Sequence, residues 1–500
     1  MPACLSRLAR HAFIAAAALF IVVPAALARP APDGFADLAA RLLPAVVNIS
    51  TTQTVKTAER GGERAGPEMP QFPPGSPFEQ FFHDFFEHGL PKGERPETSP
   101  RRATSLGSGF IIDPAGYIVT NNHVIADADE ITVILHDNTS LKAQVVGRDT
   151  KTDLALLKVK ADKPLTAASW GDSDKSRVGD WVLAIGNPFG LGGSVTAGIL
   201  SARQRDINSG PYDDFLQTDA PINRGNSGGP MFNMDGQVIG INTAIYSPSG
   251  GSIGIGFAIP STLAKAVVSE LRTESDHTVH RGWLGVRIQA VTGEIAESLG
   301  LDKPRGALVA SVTAKGPAEA AGLQPGDVVL SFDGKPVDDM RHLPRLVAET
   351  PVNKQVAVTV WRKRKETSLE VKVGKLDEKA PQQANAQEGS GKKAAPATEN
   401  VVKTLGLTLS SVTPELKDKF SLSDNAKGVV VVDVAKDSPA AAKGVHPGDL
   451  IMEAAQEEVK SPGEIGSRIA DAKKSGRKSI LLLVDRQGDL HFIALRLDQG

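Results

Sequence analysis

The sequence predicts a mainly β protein in about three folded units, and three observations carry that reading. From Leu106 to Ile259, short Val/Ile-rich runs alternate with Gly, Asn and Asp turns, with little helical periodicity. The C-terminal part holds an internal repeat. At 500 residues the chain is also too long for a single compact core.

Arg7 and Arg10 precede an apolar run from Ala12 to Leu27 that closes on Ala26-Leu27-Ala28. A basic start, a short apolar stretch and a small-x-small end describe a secretory signal spanning 1–28, cut after Ala28. A retained anchor is the rival reading. The run falls short of the roughly 20 residues a spanning helix needs, and Pro24 interrupts it. The only cysteine, Cys4, lies inside this signal, so the mature chain is expected to carry no disulfide and no Cys-based metal site. Export without disulfides suits a bacterial periplasm.

Leu38–Leu43 has helical spacing and Val46–Ser50 reads as a strand. Residues 57–104 turn rich in Gly, Pro, Glu and Arg, the composition of a long loop, interrupted by the phenylalanine-dense Phe78–His88. The clearest strands after that are Gly109–Ile112, Tyr117–Thr120, Ile131–Leu135, Ala143–Val146, Leu154–Val159, Trp181–Ile185, Val238–Asn242 and Ile255–Ile259. Many short strands of this kind make a barrel or sandwich. Helical spacing over Thr262–Arg272 closes the unit, expected to run 29–275.

The repeat pairs Gly306-Ala-Leu-Val-Ala-Ser-Val with Gly428-Val-Val-Val-Val-Asp-Val. Each is followed by x-Pro-Ala (Pro317, Pro439) and by Pro-Gly-Asp (Pro325–Asp327, Pro447–Asp449). Backwards, with one inserted residue, Leu284-Gly285-Val286 matches Leu405-Gly406-Leu407. Two similar domains follow, 280–375 and 401–498. Between them 376–400, rich in Lys, Gln, Ala and Glu, reads as a flexible linker.

The sharpest chemical signal is Gly225-Asn226-Ser227-Gly228-Gly229-Pro230. A serine hydroxyl attacks only when a base takes its proton and donors stabilise the resulting oxyanion. Glycines let the backbone turn so that the N–H groups of Gly225 and Ser227 can face one oxygen. Gly-x-Ser-x-Gly also marks the α/β-hydrolase elbow, but that turn needs a helix after the serine, and Pro230 and Gly236 leave no room for one. A base is available upstream at His123, where the strand Tyr117–Thr120 runs into Asn121-Asn122. Asp153 opens the apolar strand Leu154–Val159, where a buried carboxylate needs a partner such as an imidazole N–H. Asp149 and Asp180 are the rival acids.

Thr120-Asn-Asn-His-Val124, Thr152-Asp-Leu-Ala155 and Gly225–Pro230 stand in the order His, Asp, Ser. Together they resemble a chymotrypsin-like serine protease, and most closely the HtrA (DegP, protease Do) family. Asn187-Pro-Phe-Gly190, Gln217–Arg224, Gly254–Pro260 and Gly282-Trp-Leu-Gly-Val286 fit that family too. The resemblance implies a double β-barrel protease followed by two PDZ domains. It implies Ser227 as nucleophile, His123 as base and Asp153 as its orienting acid, with an oxyanion hole at Gly225, Asn226 and Ser227. Ile241, Asn242, Thr243 and Ala244 fall where the family pairs with substrate. Peptide C-termini would dock at Trp283, Leu284, Gly285 and Val286, and at the less typical Leu405, Gly406 and Leu407. The sequence departs from well-known members in lacking a cysteine pair in the long loop and in placing proline at Pro230.

The implied partners are unfolded proteins, C-terminal hydrophobic peptides and further copies of the chain as trimers or multiples of trimers. A net charge of −2 gives no electrostatic basis for nucleic-acid binding. No phosphate-binding Gly-x-x-x-x-Gly-Lys loop occurs, so the implied proteolysis is ATP-independent. No cofactor and no metal are expected: His83 and His88 do not have the spacing of a zinc-protease pair. The competing function is a holdase chaperone with a dormant protease.

Overall fold

The computed structural model describes residues 32, 34–55, 101–186, 193–223, 225–248, 251–377, 400–402, 405–423 and 425–497. The proposed signal, Phe78–His88, Asn187–Gly190 and nearly all of the linker lie outside the described residues.

The first barrel contains β1 (Val46–Val55), β2 (Arg101–Asp113), β3 (Tyr117–Asn121), β4 (Glu130–Ile134), β5 (Ser140–Asp149) and β6 (Leu154–Val159). It closes in the order β1-β2-β3-β6-β5-β4. The second contains β7 (Ser169–Trp170), β8 (Trp181–Gly186), β9 (Ser194–Arg205), β10 (Phe215–Thr218), β11 (Pro230–Phe232), β12 (Gln237–Ile245) and β13 (Gly256–Pro260). Its sheet β11-β8-β9-β10-β13-β12 becomes a ring through a β11–β12 pairing, with β7 added outside.

Alternation along β6 explains how the barrels share a boundary. Ala155 and Leu157 pack into the first barrel with Ile49, Ile118 and Val133. Leu154 and Leu156 face the other way, into the core of the second barrel with Leu183, Phe232 and Ile241. Successive strand side chains point to opposite faces, so a run apolar at every position serves two cores at once. The helix Ser261–Thr273 closes the unit with Ala264, Val267, Val268 and Leu271 buried, one apolar stripe at helical spacing.

The repeat folds as two like domains. The first has β14 (Gly282–Trp283), β15 (Val286–Ala290), β16 (Ala307–Val312), β17 (Val328–Phe332), β18 (Lys335–Pro336), β19 (Gln355–Arg362), β20 (Lys365–Lys372) and β21 (Gly374–Lys375). The second has β22 (Asn400–Val402), β23 (Leu407–Ser411), β24 (Val429–Val434), β25 (Leu450–Ala454), β26 (Glu457–Glu458), β27 (Ser479–Arg486) and β28 (Asp489–Arg496). The repeated Pro-Gly-Asp serves the same purpose in each. Asp327 and Asp449 are buried, and each accepts a two-pronged guanidinium. Arg362 Nε and Nη2 donate to Asp327 at 2.7 and 2.6 Å, and Arg486 donates to Asp449 at 2.7 and 2.7 Å. A buried carboxylate is tolerated when paired in this bidentate way.

The units also pack on one another. Val291, Ile295, Leu299 and Leu330 of the first repeat domain form one apolar cluster with Leu481, Leu483 and Phe492 of the second. Toward the barrels, Arg281 pairs with Asp149, both almost wholly buried, while Arg341 and Arg345 pair with Asp206 and Asp214. Among the described residues no helix is long and apolar enough to cross a membrane.

Candidate active site

The site lies at the seam between the barrels. β3 ends at Asn121 and the chain enters a single helical turn, Asn122–Ile125, that carries His123 with 3 % exposure. Asp153 stands just before β6 in the left-handed region at φ 55°. That backbone geometry, costly for most residues and tolerated by Asp, aims the carboxylate across at the histidine. Its Oδ2 lies 2.6 Å from His123 Nδ1, and its Oδ1 accepts the His123 backbone N–H at 2.9 Å. The Asp153 carbonyl accepts from Asn122 N at 3.1 Å, so the acid holds the start of the turn as well as the ring. The rival acids are used elsewhere: Asp149 by Arg281 and Thr152, Asp180 by Arg177.

Ser227 lies within a turn opened by Gly225 at φ 93° and closed by Gly228 at φ 85°. A strand, Pro230–Phe232, comes next, which excludes the nucleophile-elbow geometry. The turn is seated tightly. Ser108 N donates to the Ser227 carbonyl at 2.9 Å, and a Cβ on Gly228 would collide with the Ser108 carbonyl and Thr120 Oγ1. Ser227 is 1 % exposed, and its hydroxyl donates to the Thr243 carbonyl at 3.3 Å. Thr243 closes the constellation, because Asn121 Nδ2 donates both to its Oγ1 at 3.1 Å and to the Asp153 carbonyl at 2.8 Å.

Asn121 and Ser108 are the positioning residues that sequence reasoning passed over. Asn121 stood in the Thr120–Val124 motif with no role of its own. Full burial of an amide beside the histidine is what marks it, and burial is a property of the fold.

The peptide plane between Gly225 and Asn226 is tied at both ends, Gly225 O accepting Ser108 Oγ at 2.5 Å and Asn226 N donating to Asn223 O at 3.0 Å. Asn226 N–H is thus engaged inside the protein. The stretch Ile241–Ala244 divides in its backbone pairing. Ile241 pairs with Pro230 and Ile259, and Asn242 exchanges backbone bonds with Gly229 and Gly228 at 2.9 and 2.8 Å, so both are used inside the protein. Thr243 and Ala244 continue beyond the end of β11, where that edge of β12 has no strand beside it in the described sheet.

In the first repeat domain Gly285 takes φ 76° between buried Leu284 and β15, and the Gly285 carbonyl accepts from Thr313 N at 2.8 Å. The second matches it: Gly406 at φ 70°, flanked by fully buried Leu405 and Leu407, accepts from Ala435 N at 2.8 Å. Among the described residues no group of His, Cys, Asp and Glu could hold a metal ion.

Comparison with known proteins agrees with this architecture. A trypsin-like peptidase domain family matches residues 107–241, and a PDZ domain family matches 282–373 and 405–496. The "Probable periplasmic serine endoprotease DegP-like" of Brucella suis biovar 1 (strain 1330) is 45 % identical over 485 residues, 94 % of this chain and 91 % of its own. The protein of the same description from Rhizobium meliloti (strain 1021) is 44 % identical over 486 residues, 94 % of this chain and 93 % of its own. Among solved structures, one described as "HtrA-type protease AlgW with decapeptide" is 41 % identical, covers 69 % of this chain and 99 % of its own, and has a TM-score of 0.53. Fold and comparisons together define a serine endopeptidase: a trypsin-like double barrel carrying two PDZ domains. The chain belongs to the HtrA family, the DegP-like serine endoproteases.

Proposed function

We propose that this chain degrades unfolded proteins in the periplasm through an acyl-enzyme on Ser227, with peptide capture by its first PDZ domain. The observation that carries the reading is the double hold of Asp153 on His123, at Nδ1 and at the backbone N–H. That hold fixes the ring so that Nε2 is the nitrogen left to take the serine proton. Ser227 Oγ leaves its long bond to Thr243 O on substrate entry and attacks the scissile carbonyl as His123 removes its proton. The N–H groups of Gly225 and Ser227 receive the oxyanion. His123⁺, stabilised by Asp153, then protonates the leaving amine, and water repeats the cycle on the ester.

The substrate backbone adds alongside Thr243 and Ala244, the unpaired part of the β12 edge. Ile241 and Asn242 support that edge from within. Capture of hydrophobic C-termini at Trp283–Val286 is supported by the left-handed Gly285 turn and by β15 at the edge of its sheet. The proposed domain limits are 29–275 for the protease and 280–375 and 401–498 for the PDZ domains, after a cleaved signal at 1–28. Homo-oligomers built from trimers belong to the same reading; exposed Val178, and exposed Trp181 against Phe35 at the start of the helix Ala36–Leu42, offer apolar surface for such a contact.

Casein turnover by the wild type and by Ser227→Ala, with light scattering of an aggregating client alongside, tests the reading. Cleavage should vanish in the variant while unfolded protein is still bound. Suppressed aggregation without wild-type cleavage would instead support the dormant-protease holdase.

A further inference from the structure

The two PDZ domains differ at the element that precedes the ligand loop. In the first, β14 leaves the loop and pairs with β21 in a separate two-stranded sheet. β15 is therefore the edge of its own sheet, with room for a visiting strand. In the second, residues 400–402, which the repeat's register matches to 279–281 just ahead of β14, fold back on their own domain. β22 pairs antiparallel with β23, Asn400 opposite Leu409, Val401 opposite Thr408 and Val402 opposite Leu407. Cα atoms of β22 also come within 8 Å of the helix Pro462–Lys474. A PDZ ligand adds in the same way, as an antiparallel edge strand between the strand after the loop and the facing helix. The register matches as well. Val402, opposite Leu407, is the β22 residue next to the Leu405–Leu407 loop, where a ligand's last residue would lie. Here that residue continues into a peptide bond to Lys403 and carries no carboxylate.

We propose that residues 400–402 fill the peptide groove of the second PDZ domain as a built-in ligand, so that the full chain presents one receptive groove, in the first PDZ domain. The occupant is part of the same chain, so its effective concentration is in the millimolar range, set by a short connection to β23. An incoming peptide must displace it, and its apparent affinity falls by the fraction of time the groove is open. Asn-Val-Val also has the apolar end that such grooves accept, so a segment of unremarkable composition serves as a competitor. This inference rests on the PDZ reading above. It is independent of the Ser227 chemistry, because casein cleavage by the wild type proceeds whatever the second groove holds.

The test is a binding titration on the full-length chain carrying Ser227→Ala, which spares the probe from cleavage. The probe is a fluorescent decapeptide ending in Asn-Val-Val with a free carboxylate. One peptide should bind per chain. Replacing residues 400–402 by Gly-Ser-Gly should raise this to two, and amide hydrogen exchange at Leu407–Ser411 should quicken. Two peptides on the unreplaced chain, or still one on the replaced chain, would overturn the proposal. A second variant guards against misfolding of the replaced domain. Val401→Cys with Thr408→Cys joins the two strands in a chain whose only other cysteine is Cys4. Oxidation should leave the stoichiometry at one. Loss of a bound peptide on oxidation would mean the groove had been open.

Discussion

At the scale of single residues the site depends on backbone placement as much as on side-chain identity. Asp153 reaches His123 because it adopts φ 55°, and Ser227 is presented by glycines at φ 93° and 85°. Asp153→Asn keeps the shape of the turn but favours the wrong imidazole tautomer, and it should lower kcat by about four orders of magnitude at neutral pH. A larger loss from Asp149→Asn than from Asp153→Asn, in the same steady-state assay, would reassign the acid. Gly228→Ala should destabilise the fold by more than about 2 kcal/mol in urea denaturation, from the left-handed backbone plus the collision with Ser108 and Thr120. His123, Asp153 and Ser227 stood out as candidates because chemistry confines such roles to a few residue types; His123 and Asp153 adjoin readable strands, and Ser227 stands in a glycine-flanked turn. Asn121 did not, since an amide beside a histidine signifies nothing until the fold buries it. Nor could spacing alone tell that Asn226 N–H was already engaged, which depends on Asn223 curling back beneath the turn.

Whole elements were readable where apolar periodicity was strong. Leu154–Val159 was expected as a strand and is β6 with those bounds, and the helix expected over Thr262–Arg272 is Ser261–Thr273. β9, Ser194–Arg205, escaped notice because its small and polar residues, with Gly198 packed against Ala220, carry no alternating apolar pattern. Contacts between elements were not readable at all. Arg281 and Asp149 lie 132 residues apart in the chain, yet form a buried ion pair between the first PDZ domain and the strand leading toward Asp153. Removing one partner strands the other charge, so Arg281→Ala should cost about 3–5 kcal/mol in denaturant unfolding, and a loss below about 1 kcal/mol would show that water reaches the pair. Glu349 lies in the same contact region, and burial pushes its carboxyl above the ordinary 4.5 despite the opposing pull of Arg345. A carboxyl raised on folding adds stability that is fully present below its unfolded pKa and is lost as pH rises through the folded value. Glu349→Gln mimics the protonated form. Its melting temperature should fall less than the wild type's as pH rises from the ordinary carboxylate range toward neutrality, whereas identical slopes would mean that Glu349 is charged in the fold.

On the scale of the whole molecule, two barrels form the protease and two repeated PDZ domains follow, joined by ion pairs and an apolar PDZ–PDZ contact. The double barrel came from resemblance, since the residue pattern alone left barrel and sandwich open. The repeat, by contrast, was explicit, because Pro-Gly-Asp recurs with the same buried Asp–Arg fork in both domains. Deleting residues 282–500 should leave the Ser227 site assembled, because His123, Asp153, Ser227 and the groups that bind them all lie before residue 261. It should also abolish any rise in reporter cleavage caused by hydrophobic C-terminal peptides, and equal stimulation of the truncated chain would place the sensor in the protease cleft. Beneath all of this stands the claim that Ser227 is the nucleophile. Treating the wild-type protein with a fluorophosphonate and mapping the adduct by peptide mass spectrometry tests it most directly. A single adduct on Ser227, with cleavage lost in proportion to labelling, is the predicted result. An adduct on another residue, or cleavage that continues undiminished once Ser227 is fully labelled, would contradict it.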